Sequence, residues 1–175
     1  SIDYDDPMAM MEVFAGGSNM VPVFWQNEQY DSLVAQARKE MDEKTRVDLY
    51  KQAENILHHK NLSVYLPQDL QIPNAWDYPS NEWGLMVFAN DVVALDHCDI
   101  VVMLSFGKEN NAGAAWEVGY AYAKKKKVIV VSMTDEVESL MIQHGSYAQL
   151  KGLEQLEKYD FDKMPMARNY SGKES

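Results

Sequence analysis

Long apolar runs are missing from this chain: no stretch approaches the roughly 20 residues that a membrane-spanning helix needs, so no bilayer crossing is expected. Positive charge is scarce too, with 16 Lys and Arg against 27 Asp and Glu and a net charge of −11. A nucleic-acid polymer would be repelled over most of such a surface, whereas a small neutral ligand would not. The single cysteine, Cys98, excludes an internal disulfide, and its setting in HCDIVVML reads as a small core residue. The four histidines do not cluster. His58 and His59 are adjacent, His97 follows Asp96 and His144 stands alone, so no metal site is expected. The first residues show no basic and then apolar leader pattern, so location has to follow from function.

What is present is ordinary globular material, 175 residues with 46% apolar and 25% charged side chains, enough for one domain over 1–175 with a real core. Residues 1–26 mix Met, aromatic and Gly residues without a period, and only MEVFAGG at 11–17 could make a short strand and turn. From Asn27 the pattern becomes helical. Tyr30, Leu33, Val34, Ala37 and Met41 share one face, and after a capping Asp42 so do Val47, Tyr50, Ala53, Ile56 and Leu57, which predicts two consecutive amphipathic helices. LSVYLP at 62–67 reads as a strand stopped by Pro67, and residues 81–95 as a helix. DIVVMLSF at 99–106 and KVIVVSM at 127–133 are unbroken β-branched runs, as buried parallel strands require. With a helix between them they form a right-handed crossover unit, so the expectation from residue 62 onward is an open α/β sheet. The lysines at 124–127 complement that helix's dipole and are assigned no site.

One carboxylate stands out. Glu117 lies among Ala114, Ala115, Trp116 and Val118, about ten residues beyond the strand that ends in Phe106, where open α/β sheets bind their ligands. A Glu in a helix's first turn can simply stabilise the dipole by about 0.3–1 kcal/mol, and that reading stays open here. Asp91 in FANDVVAL is harder to explain structurally, since it falls in the C-terminal part of a helix, where the dipole disfavours a carboxylate. Two carboxyls in one pocket permit glycosidic chemistry, one as nucleophile and one moving a proton. Solvation of Asp91 at the surface is the alternative.

YLPQDLQ at 65–71, NEWGLMVFANDVVAL at 81–95, NAGAAWEVGYAYA at 111–123, SLMI at 139–142 and the terminal NYSGKES together resemble the nucleoside 2-deoxyribosyltransferases over about residues 62–175. The resemblance implies a flavodoxin-like open parallel sheet with flanking helices, here with the N-terminal helical pair packed on it. It further implies transfer of a 2-deoxyribosyl group between nucleobases with retention, a deoxynucleoside and a free nucleobase as partners, no cofactor and a cytoplasmic location. Glu117 matches the family's nucleophile and Asp91 the acidic residue that handles a proton at the base. Gln71 matches a base-contacting glutamine, and Gly113 belongs to the substrate-binding motif. Asn111 stands where many members have an aspartate, and Ser139 where a neighbouring subunit's asparagine would bind sugar. Ser175 falls at the chain end whose carboxylate is implied in the adjacent site. Such sharing implies a homo-oligomer built from dimers, typically a hexamer.

Residues 1–60 depart from that pattern. From about 3 to 57 the chain, with DYDDPMAMMEVFAGG and then FWQNEQYDSLVAQARKEMDEKTRVDLYKQAENIL, resembles the C-terminal part of ABC-transporter peptide-binding proteins. A hybrid chain is therefore expected, with Val13 where the transferases would place an aromatic hydroxyl. Two other functions compete with transfer: an N-glycosidase using Glu117 with water as acceptor, and an inactive α/β module.

Overall fold

The computed structural model describes residues 28–67, 70–73, 75–107 and 112–168. MEVFAGG and Val13 lie outside them. Helix α1 runs from Glu28 to His59 without interruption. The expected pair is thus one helix of 32 residues, about 48 Å at 1.5 Å per residue. Asp42 does not divide it because no Gly or Pro occurs between Glu28 and His59, and a capping side chain without a breaker does not end a helix. The helix ends where Asn61 takes the left-handed conformation at φ 60°. Leu62 N then donates to Leu57 O at 3.2 Å and Asn61 N to His58 O at 2.9 Å, the reciprocal pair that closes a helix C-terminus.

That turn sends the chain into residues 62–66, where Leu62, Val64 and Leu66 are half-buried and Ser63 and Tyr65 exposed. The alternation is that of a strand, yet the segment joins no ladder among the described residues, in contrast to the strand expected at 62–67. A short 3₁₀ turn at Ala75–Asp77 leads through Pro79 into α2, Ser80–His97. Then follow β1 (Ile100–Ser105), α3 (Ala112–Ala123), β2 (Lys127–Ser132), α4 (Leu140–Gly145), β3 (Ala148–Lys151) and α5 (Gly152–Lys158).

The sheet is parallel, in the order β1-β2-β3, with Ile100 opposite Lys127 and Ile129 opposite Ala148. β2 is central because its side chains suit both faces. Ile129 and Val131 join Leu104, Ala148, Leu150, Leu156 and Tyr159 on one side, where Ala53 and Leu57 of α1 close the layer. Val128 and Val130 pack on the other with Met103, Ile142 and α3's Val118 and Ala121. All four β2 residues from Val128 to Val131 are at most 1% exposed, and each contributes on the order of 1.5–3 kcal/mol by burial. The α/β class expected from residue 62 onward is the one observed.

Two details fix the sheet edges. Gly107, two residues after β1, has φ +72°, and a Cβ there would meet Glu136 Cβ at 2.8 Å, so only glycine fits the turn. The lysine run does more than answer a dipole. Lys126 Nζ donates to the carbonyls of Asp96 at 2.9 Å and Cys98 at 2.6 Å, and Lys124 pairs with Asp96 at 3.0 Å, tying the end of α3 to the end of α2. Cys98 is half-buried and unbridged.

Candidate active site

Three elements converge beside β1. Helix α2 brings Asp91, α3 brings Glu117, and the segment after α1 brings Tyr65; all three line one cavity of about 600 Å³. Tyr50 and Leu57 of α1 and Leu104 of β1 supply further wall. Glu117 is the sixth residue of α3 and therefore lies beyond the first turn, where dipole stabilisation fades, so its place needs another reason.

The electrostatics are those of carboxyls kept from water near one another. Burial pushes Glu117 up to about 7 from the ordinary 4.5, and the charge of Asp91 adds to the rise. Asp91 is raised as well, by burial, against the lowering effect of a hydrogen bond from Tyr65. That bond runs from the Tyr65 hydroxyl to Asp91 Oδ1 at 3.2 Å. The Tyr65 hydroxyl is itself pushed up to about 12, by burial and then by Asp91 and Glu117. Tyr50 is raised by burial, with Arg46 opposing and Glu117 reinforcing. Such a group can hold one proton between two carboxyls near neutral pH, and it can place a negative oxygen beneath an electron-poor carbon.

The other sequence candidates fall elsewhere. Gln71 is exposed and does not line the cavity. Gly113 is exposed in the first turn of α3, and Ser139 precedes α4 with its N–H donated to Glu138 Oε1 at 3.0 Å. Asn111 and Ser175 lie outside the described residues. Trp116, the residue before Glu117, is 46% exposed, stacks on Tyr120 at 5.2 Å and tilts against Phe88 at 5.3 Å. Among the described residues, no group of three or more His, Cys, Asp or Glu could hold a metal ion.

Sequence reasoning missed both tyrosines. Tyr65 sits inside a quoted motif, but a phenol's role depends on what lies across the cavity, 26 residues later in the chain. Tyr50 is one position of an apolar helical stripe, and spacing alone reads it as core.

A parallel α/β sheet with two carboxyls lining one cavity at its side carries the residue types that chemistry at a glycosidic carbon uses. Over residues 27–157 the chain matches the family of nucleoside 2-deoxyribosyltransferases, and it belongs to that family. A solved structure of a 2-deoxyribosyltransferase from the psychrotolerant bacterium Bacillus psychrosaccharolyticus is similar, with a TM-score of 0.63 and 26% identity, over 84% of this chain and 94% of that one. The chain is also 39% identical over 74 residues to the dipeptide-binding protein DppE of Bacillus subtilis (strain 168). That match takes in 41% of this chain but spans only 14% of the length of DppE. No described helix is long and apolar enough to cross a membrane.

Proposed function

We propose that this protein transfers a 2-deoxyribosyl group from one nucleobase to another, with Glu117 as nucleophile and Asp91 as the proton-handling partner. The observation that carries the reading is the pairing of these two carboxyls in one cavity, with Glu117 raised to about 7 by burial and by Asp91. Ionised Glu117 attacks the anomeric carbon as the carbon–nitrogen bond breaks. The bonding pair leaves with the base nitrogen, and Asp91 supplies its proton. A second base then attacks the glycosyl ester, giving its N–H proton to the now ionised Asp91 and releasing Glu117 as carboxylate, and two inversions at one carbon give retention. The first step needs the pair to hold one proton and the second returns it, and burial of both carboxyls favours holding that proton.

Leu57, Leu104 and Tyr50 give the cavity that holds Glu117 an apolar wall, and a site that limits water favours a base over water as acceptor. Gln71, Asn111, Gly113, Ser139 and Ser175 are proposed as substrate contacts on the family resemblance alone, since Gln71, Gly113 and Ser139 do not line this cavity. A homo-oligomer fits the surface: Phe88 of α2 and Trp116 of α3, in ring contact, are 51% and 46% exposed. On a chain of net charge −11, such an aromatic pair is where two copies can meet with little repulsion.

The test incubates the protein with thymidine and free adenine beside a Glu117→Ala control. Deoxyadenosine formed only with intact Glu117 is expected. Thymine and free sugar without deoxyadenosine would mark a hydrolase instead, and no turnover would sink both enzymatic readings.

A further inference from the structure

Tyr65 occupies the exposed phase of a segment whose neighbours Val64 and Leu66 are half-buried, so the packing of 62–66 does not ask for a ring there. Its hydroxyl nonetheless crosses to another element and donates to Asp91 Oδ1 at 3.2 Å, at the wall of the cavity that also holds Glu117. A phenol has one proton to donate, and giving it to one carboxylate oxygen restrains rotation of the whole group. The second oxygen is then left for exchange of a proton with a bound molecule.

We infer that Tyr65 is a positioning residue: its hydroxyl fixes the Asp91 carboxyl beside Glu117, so that the proton for the leaving nucleobase is delivered from a set direction. The inference rests on the transferase reading for its reaction, though not for its geometry. The groups around Asp91 are Tyr65 from the 62–66 segment and Glu117 from α3, with Tyr50 and Glu54 of α1, His97 of α2 and Asp99 before β1 in the same cavity. Of these, the hydrogen bond from Tyr65 favours ionised Asp91 and burial resists it, while the charge of Asp91 in turn resists ionisation of Glu117. Removing the phenol proton should therefore make the Asp91 proton harder to lose.

Tyr65→Phe in the full chain keeps the ring and tests this directly. The thermal midpoint should hold, KM should change by less than about twofold, and kcat should fall by about tenfold or more, a part of what a positioned general acid contributes. Both limbs of the pH–rate profile should move to higher pH. Carbon-13 NMR of the Asp and Glu carboxyls in the substrate-free protein should show the pair titrating higher than in the unsubstituted protein. A merely structural tyrosine would move neither readout. If the unsubstituted protein makes no new nucleoside but Tyr65→Phe still shifts the carboxyl titration, the transferase reading fails and the hold of Tyr65 on Asp91 stands. If it does make nucleoside and Tyr65→Phe leaves kcat and the titration unmoved, the inference is overturned.

Discussion

In Glu117→Gln a neutral amide of nearly the same shape replaces a carboxyl whose ionisation the cavity resists. The folded protein holds the Glu117 proton up to about 7, against the ordinary 4.5, because charging the group means charging it away from water and near Asp91. A carboxyl raised in this way contributes its stability fully below its unfolded value and loses it as pH rises through the folded one. The gap is worth on the order of 3 kcal/mol at most, since each pH unit is about 1.4 kcal/mol. At pH 8 the unsubstituted protein carries that cost and the amide variant does not. For a domain of this size about 1 kcal/mol moves Tm by roughly 2–4 °C, so the variant should melt up to about 6–12 °C higher at pH 8. The difference should shrink steadily and vanish near pH 4, where both side chains are neutral. Transfer activity should be lost in the same variant at every pH. Calorimetric or fluorescence melts of both proteins across this range measure the difference. A Tm gap that does not vary with pH, or a variant less stable at pH 8, would refute the account of Glu117.

Leu156→Ala tests the layer between α5 and the sheet. The side chain is 0% exposed among Ile129, Leu150 and Tyr159, and its truncation should cost about 2–5 kcal/mol in urea unfolding, while a loss under about 1 kcal/mol would mean the layer collapses around the gap. Phe88→Lys tests the outer aromatic face. Phe88 is 51% exposed and tilts against Trp116, so the charge should dissociate an oligomer in sedimentation experiments and leave the monomer folded. An assembly unchanged by Phe88→Lys, or an unsubstituted protein that sediments as a monomer, would remove this face as the contact.

Much of the sheet was legible because its causes are local. β1 and β2 are β-branched runs with no polar interruption, and the pattern states both their length and their burial on two faces. Helix α2 and helix α3 were equally plain. The expected division of α1 failed because a capping residue was weighed without asking whether anything stops the helix before it. The strand expected at 62–67 failed for the opposite reason. Its alternation of half-buried and exposed residues is real, but a strand exists only where a second edge supplies hydrogen bonds, and a segment's own sequence cannot state whether that edge is in reach.

The site divides in the same way. Sequence by itself singled out Glu117 and Asp91, because a carboxylate in an apolar helix and an acid late in another helix contradict local preference, and contradiction is visible without coordinates. It also determined the family, through motifs spread over most of the chain. Only the tertiary structure decided that the two carboxyls share a cavity, that α1 closes one wall with Tyr50, and that Trp116 faces outward to Phe88 and Tyr120. It alone joined Tyr65 to Asp91. Residue type is fixed along the chain, but proton affinity and hydrogen-bond partnership depend on distances between elements far apart in sequence, and those exist only once the helices have packed onto the sheet.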